Sequence, residues 1–437
     1  MAWKVLLKSC TRLIGILREK ILSDEFVSKH RSKDKDFKRN RKLPFHTLLL
    51  FLINLVKGSL QDELDNFFKV LNQADTAVRE VTKSALCNAR KKLKYGAFQE
   101  LTRDMETYVY RHIFKRKWKG FRLLAVDGST LQVPRTAEVA EHFGVWHPAD
   151  GQPCPVARIS MMTDVLNDFI VDAAIKPKSI GERLLAMEHM PYMGTNDLVL
   201  FDRGYPAFWL FSKVRSRGAH FCARINKGVW HVVDDFIATG LEEYIVSLKP
   251  GAQALKQCRE MGLPIEPIEV RLLRIVLDTG ETEVLITSLV DCQEYPHGVF
   301  KELYGLRWGI EETYKTAKNR LQFENWSGKS VDSVYQDFYA KVFALNLTIT
   351  LTHPADEEIK TGYQERKHPY QINMTQALSK MKDTVVLLFK VENPFSLLTQ
   401  LMDVFLKAIE PIRKGRRYPR KKRMGYRRFA TCYKQVS

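Results

Sequence analysis

Three carboxylates stand apart from the other acidic residues of this sequence because of what surrounds them. Asp127 closes the apolar run of FRLLAVDGSTLQVP, which reads as a strand passing into a turn at Gly128. Asp202 repeats that logic in DLVLFDRGYPAFWLF: strand Leu198–Phe201, the aspartate, a turn through Gly204 and Pro206, then a helix. Glu311 lies in YGLRWGIEETYKTAKNRL, which spans Tyr304–Leu321. At ~100° per residue, Tyr304, Arg307, Glu311, Lys315 and Lys318 share one stripe about 80° wide. Leu303, Leu306, Ile310, Ala317 and Leu321 form the adjoining stripe, which would pack on a core. Glu312 points about 100° away from Glu311 and so off the charged stripe.

Each of these residues has an ordinary reading. Glu311 and Lys315 could be a surface i,i+4 pair worth only ~0.3–0.5 kcal/mol, and either aspartate could cap its turn. Three carboxylates on adjacent core elements could instead hold two divalent ions that clamp the attacking and leaving oxygens of a phosphodiester. Mg²⁺ suits such a set because it takes oxygen ligands and keeps several waters. Arg307 and Lys318 would then hold phosphates, one by a planar fork and the other as a point charge. Asp164, Asp168, Asp172 and Glu182 fall in the same region and read as turn or surface residues.

The charge balance favours the second reading. The 437 residues carry 69 Lys+Arg against 50 Asp+Glu, a net charge of +19, which suits a polyanionic partner, nucleic acid ahead of a membrane. Cysteines are scattered without a CxxC pair, so neither a zinc site nor a disulfide framework is indicated. The longest apolar run, Thr47–Val56, is far short of the ~20 residues a membrane span needs. No membrane partner is expected, and a soluble protein of the cytoplasm is.

The elements that must position the carboxylates follow from periodicity. Helical spacing fills Leu6–Leu22, Phe45–Val56, Leu60–Leu71, Val78–Leu93 and Phe98–Phe114, giving a helical, DNA-binding region over 1–119. Within it, Arg90, Lys91, Lys92 and Lys94 line a helix ending near Gly96, either a solvated face or a basic helix for a DNA groove. Strand-like runs begin after Gly120, among them Ile159–Val165 and Phe169–Ile175, and place an α/β core over 120–225. Short runs such as VWHVVDDF, EEYIVSL, IEVRLLRIVL and EVLITSLV make 226–299 a β-rich insertion. The core resumes as helices over 300–350. A C-terminal helical, assembly region over 351–437 ends in a tail, Arg413 to Lys434, that holds no acidic residue.

Tyr304, Arg307, Glu311 and Lys318 reproduce the Y-x-x-R-x-x-x-E-x-x-x-x-x-x-K spacing of the insertion-sequence-four (IS-four) DDE transposases, which this chain resembles from about Phe121 to Thr350. VDGST and FDRGY look like the motifs carrying that family's two aspartates, and LQFENWSGKS also resembles it. The resemblance implies an RNase H-like core split by the insertion and a centre of Asp127, Asp202 and Glu311 with two Mg²⁺ ions, Mn²⁺ substituting. It implies end nicking, hairpin formation and strand transfer on double-stranded DNA, the transposon's terminal inverted repeats and the target. It also implies contact with the transposon end by Tyr304, Arg307 and Lys318, a homodimer in the synaptic complex, and a bacterial, nucleoid-associated location. Trp230 and Trp308 are the candidates for a base-stacking tryptophan, although both read as core. The rival readings are a catalytically silent DNA-binding regulator and a nuclease of the same fold without strand transfer.

Overall fold

The computed structural model describes residues 2–39, 41–149, 152–362 and 367–413. The chain divides into two compact units: Met1–Lys115, Leu131–Val156 and Lys315–Ser437 in the first, Arg116–Thr130 and Ala157–Tyr314 in the second. The basic tail lies outside the described residues apart from Arg413. No helix among the described residues is long and apolar enough to cross a membrane.

The first unit is helical. Helix Val331–Gly362 is buried almost without a break from Ser333 to Ala355, its polar residues Gln336, Asp337 and Lys341 included. Ala2–Leu22, Phe45–Ile53, Gly96–His112 and Phe395–Lys407 pack around it. Glu100 fastens three helix segments together, accepting from Lys20 at 2.7 Å, Lys29 at 2.6 Å and His30 at 2.9 Å. Burial alone would raise the Glu100 carboxyl, but these three donors outweigh it and hold it down at about 2.

The basic stretch around Arg90 departs from expectation. Its helix is Lys83–Arg90, and Gly96 opens the next helix rather than ending this one. Arg90 is not on a DNA-facing surface. It is 5% exposed and donates to Gln336 at 2.9 Å, Ser327 at 2.7 Å, the Ser333 carbonyl at 3.1 Å and Asp337 at 2.9 Å. Asp337 is also buried, and the pair satisfies a charge that burial would otherwise penalise. Lys91 beside it is exposed.

The strands of the large sheet are β1 (Arg122–Gln132), β2 (Val145–Trp146), β3 (Cys154–Asp164), β4 (Phe169–Pro177), β5 (Asp197–Phe201), β6 (His220–Ile225), β7 (Glu243–Leu248), β8 (Ile268–Val276) and β9 (Thr282–Thr287). β2 pairs only with the first two residues of β3. In the second unit the order is β4-β3-β1-β5-β6-β9-β8-β7. β3 and β4 are an antiparallel hairpin, turned at Asp168 with φ 57°. β1, β5 and β6 run parallel. That five-strand order is the RNase H-like arrangement. β5 is buried at every residue, as a central parallel strand should be.

Two details differ from the sequence reading. VWHVVDDF is not a strand: His231–Thr239 is a helix whose buried residues, Val233 and Phe236, are three apart, a helical period. The insertion's remaining strands do not stand alone either. β9 pairs antiparallel with β6, and β8 and β7 follow, so they extend the core sheet.

Two outcomes test this packing. Glu100 is ordinarily near 4.5 and lies at about 2 when folded. Its stabilisation is therefore complete above pH 4.5 and disappears as pH falls toward 2. Glu100→Gln should lower stability at pH 7 by about 2 kcal/mol and flatten its fall below pH 4.5, read by urea unfolding at several pH values. Arg90→Ala should cost about 3–5 kcal/mol because the buried Asp337 loses its ion-pair partner. Lys91→Ala should change stability by less than about 0.5 kcal/mol; equal effects of the two would show that Arg90 is an ordinary surface cation.

Candidate active site

Register places the two aspartates. β1 and β5 pair from Arg122↔Asp197 to Val126↔Phe201, so Asp127 and Asp202 are the next residues on neighbouring parallel strands. β5 and β6 pair up to Phe201↔Ala223, which puts Arg224 next in the same row. Asp202 follows the last residue of β5, as expected. Asp127 does not end its strand: β1 continues through it to Gln132, and only the pairing with β5 stops there. Ligand chemistry in open α/β sheets gathers at such carboxyl ends.

Each aspartate accepts the N–H of the residue after it, Gly128 to Asp127 at 2.8 Å and Arg203 to Asp202 at 2.7 Å. Beyond that their surroundings diverge. Burial pushes the Asp127 carboxyl up to about 6, with the charges of Asp202 and Glu182 adding to the rise and Gly128 N–H and Arg307 opposing it. Burial acts on Asp202 too, but the Arg203 N–H, Arg224 and Arg307 outweigh it and hold this carboxyl below the usual range. Arg224 donates to Asp202 at 2.8 Å and is itself held by Glu283 of β9.

The segment carrying Glu311 is not one regular helix. Val299–Gly305 is α-helical, Leu306–Trp308 is a 3₁₀ turn, Gly309–Lys315 is α-helical again, and Thr316–Arg320 is a π turn. A π turn shifts the facing of everything beyond it, so Lys318 does not keep the position a uniform 100° projection assigns. Lys315 is exposed and Lys318 half-buried. Gly309 makes the close approach possible on one side, since a Cβ there would lie 3.0 Å from Val165 Cβ.

Two phenols bind this segment to the two aspartate strands. Tyr304 donates to the Phe201 carbonyl at 3.2 Å, and Tyr314 donates to the Asp127 carbonyl at 2.7 Å. Tyr304 is 8% exposed, and its hydrogen bond ties this segment to the end of β5. Arg307 is 5% exposed and donates to Glu311 at 3.0 Å, while its charge is felt by both Asp127 and Asp202. Arg307 thus pairs with Glu311 and acts at a distance on both aspartates of the expected set. Among the described residues, no group of three or more His, Cys, Asp or Glu side chains is arranged to hold a metal ion. The donor chemistry nevertheless fits a hard divalent cation: carboxylate oxygens, two of them on adjacent residues of neighbouring strands.

Sequence reasoning missed three residues here. Glu182, read as a turn or surface residue, extends over Gly128, where an added Cβ would lie 2.7 Å from Glu182 Cγ. It accepts from Arg158 at 2.8 Å. Tyr205, in FDRGY, is 2% exposed, and its hydroxyl has no hydrogen-bond partner. Burial and then the charges of Asp127, Glu182 and Asp202 push that phenol far up, so it stays protonated. Arg224 had one readable signal, a cation inside the apolar run HFCARI. Trp308 was read as core and is 54% exposed. Trp230 is half-buried, with its ring 6.0 Å from that of Phe211.

The family described as Transposase DDE domain matches residues 118–347, more than half of the chain. The chain is similar to the transposase InsG of insertion sequence element IS4 from Escherichia coli (strain K12), at 24% identity over 71% of this chain and 70% of that protein. It is also similar to the transposase of insertion sequence element IS231E from Bacillus thuringiensis subsp. finitimus, at 19% identity over 69% and 70%. Among solved structures it is similar to a piggyBac transposase synaptic complex with hairpin DNA, at TM-score 0.45 and 10% identity over 90% of this chain and 85% of that one. The matched span nearly coincides with the one that resembles the IS-four transposases, and both aspartate motifs and the glutamate helix fall inside it. This chain therefore belongs to the DDE transposases, with relatives from IS4-type insertion sequences, and it is an enzyme of DNA transposition.

Proposed function

We propose that Asp127, Asp202 and Glu311 are the catalytic, metal-holding set of this transposase. The family's chemistry uses divalent metal ions, and for this chain we propose two Mg²⁺, with Mn²⁺ substituting. The observation that carries the reading is the in-register placement of Asp127 beside Asp202, with Glu311 linked to both through Arg307. Bound there, the ions would lower the pKa of a water and polarise the scissile phosphate. Glu311 joins the set by releasing Arg307, whose guanidinium then meets a non-bridging phosphate oxygen. Arg224 keeps Asp202 ionised throughout, and Tyr304 and Tyr314 hold the two strands in place. Lys315, Lys318 and Lys91 contact the DNA backbone of the transposon end.

The reaction is a series of exchanges at phosphorus. Water attacks the phosphodiester at the terminal inverted repeat, the P–O3′ bond breaks, and the 3′ oxygen leaves with a proton. The freed 3′-OH attacks the opposite strand to close a hairpin, a second water opens it, and the same 3′-OH attacks target DNA. Two ends must be joined, and each needs a centre, so a homodimer is the working form. Closing a hairpin takes a base out of its stack, which costs a few kcal/mol that an aromatic ring can offset. Trp308 is the candidate, exposed and with its ring 5.7 Å from Arg307.

Asp127→Ala and Glu311→Ala should each reduce Mg²⁺-dependent cleavage of the element's ends by about 1000-fold with thermal unfolding little changed. Wild-type cleavage by either variant would remove that residue from the centre. Given a pre-cleaved 3′-OH end, the wild type should join it to target DNA, which a nuclease does not. Trp308→Ala should leave nicking intact and reduce the hairpin product by roughly 10-fold; an unchanged yield on gels would assign the stacking elsewhere.

A further inference from the structure

We propose that Tyr205 holds the attacking water for the hydrolytic steps, in a pocket shaped by Glu182. The inference rests on the reading of Asp127 and Asp202 as the catalytic centre. Tyr205 follows Asp202 by three residues, and its backbone N–H donates to the Asp202 carbonyl at 3.0 Å. Its ring lies 5.5 Å from that of Phe201, so the side chain folds back under the end of β5. The hydroxyl is buried, has no protein partner, and lies within the fields of Asp127, Glu182 and Asp202. A buried hydroxyl left unpaired ordinarily costs about 1–3 kcal/mol, and phenylalanine would fill the same space without that cost. The hydroxyl is therefore best explained by something it donates to.

The chemistry of the surroundings narrows the acceptor. Three carboxylates repel an anion, whereas a water can accept from the phenol and donate to a carboxylate at once. With one lone pair taken by Tyr205 and a proton directed to a carboxylate, the second lone pair is free for phosphorus. In the step itself, the O–P bond forms, the water's proton passes to a neighbouring carboxylate, the P–O3′ bond breaks, and the 3′ oxygen takes a proton from solvent. Glu182 lies over Gly128, next to Asp127 in the chain, and is fixed on two sides. Arg158 of β3 holds its carboxylate at 2.8 Å. The next residue in its helix, Arg183, donates at 2.8 Å to the Gly204 carbonyl in the turn that precedes Tyr205. Gly128 lets the Glu182 chain cross close to the strand, where an added Cβ would lie 2.7 Å from Glu182 Cγ.

Water is the nucleophile in nicking, whereas a DNA 3′-OH is the nucleophile in strand transfer. Tyr205→Phe should slow Mg²⁺-dependent nicking of an intact end by roughly 10–100-fold. Joining of a pre-cleaved 3′-OH end to target DNA should slow far less, within about 3-fold. Thermal unfolding should be unchanged or later. Equal slowing of both reactions would show that Tyr205 merely positions the carboxylates, and slowing of neither would show that it does nothing; each overturns the proposal. Glu182→Gln, which keeps the shape over Gly128, should also slow nicking more than joining, and an equal effect on both would remove Glu182 from the water pocket. Asp127→Ala run alongside separates the two readings: if it nicks as well as wild type, the centre itself has been misplaced.

Discussion

Asp127 and Asp202 are held in register on strands whose spacing is ~4.8 Å. Two ionised carboxylates about 5–6 Å apart repel by about 3 kcal/mol at an effective dielectric of 20. The neighbouring groups answer that repulsion unequally. Asp202 has Arg224 in hydrogen-bond contact, while Asp127 has the N–H of Gly128 in its own strand and feels the charge of Arg307. Burial drives the Asp127 carboxyl up, with the charge of Asp202 adding to it, while the Arg203 N–H and the two arginines outweigh burial and hold Asp202 down. A pair of this kind attracts cations by construction, and the guanidinium of Arg307 meets that demand from within the chain.

The irregular helix solves a related geometric problem. Tyr304 and Tyr314 must both reach carbonyls on the two aspartate strands. In a uniform α-helix, residues ten apart are about 80° out of line. The three residues of the 3₁₀ turn advance about 120° each, which brings the two phenols to within about 20° of one face. Both then donate, one to Phe201 and the other to Asp127. The turn between them carries Arg307, so aligning the tyrosines also delivers the guanidinium to the carboxylates.

Legibility in the sequence followed the distance over which each feature is determined. Asp202 was readable because an apolar strand, an aspartate and a Gly-containing turn are all local. Glu311 was readable as one member of a spaced motif, although the 3₁₀ and π turns that set its surroundings leave no mark in the apolar pattern. Arg224, Glu182 and Tyr205 were missed because their roles arise from strand register and from a helix start meeting a glycine 54 residues earlier in the chain. Arg90 shows the converse error: a run of cations looked like one face, but its first member turns inward to Asp337. A charge's burial depends on a partner 247 residues away, which no local pattern reveals.

The strands after β6 make the last connection. They could have formed a separate module, yet β9 pairs with β6 and carries Glu283, which holds Arg224 from the side opposite Asp202. Without β9, β6 would be an edge strand with an open ladder, and Arg224 would be free to leave Asp202 for solvent. An arginine fixed between two carboxylates loses that freedom and stays in the row. Arg224 thereby helps hold the Asp202 carboxyl below its usual range while burial raises that of Asp127, and that asymmetry depends on a segment that contributes no residue to the proposed catalytic set. Extending the sheet is therefore part of how the centre keeps its charge.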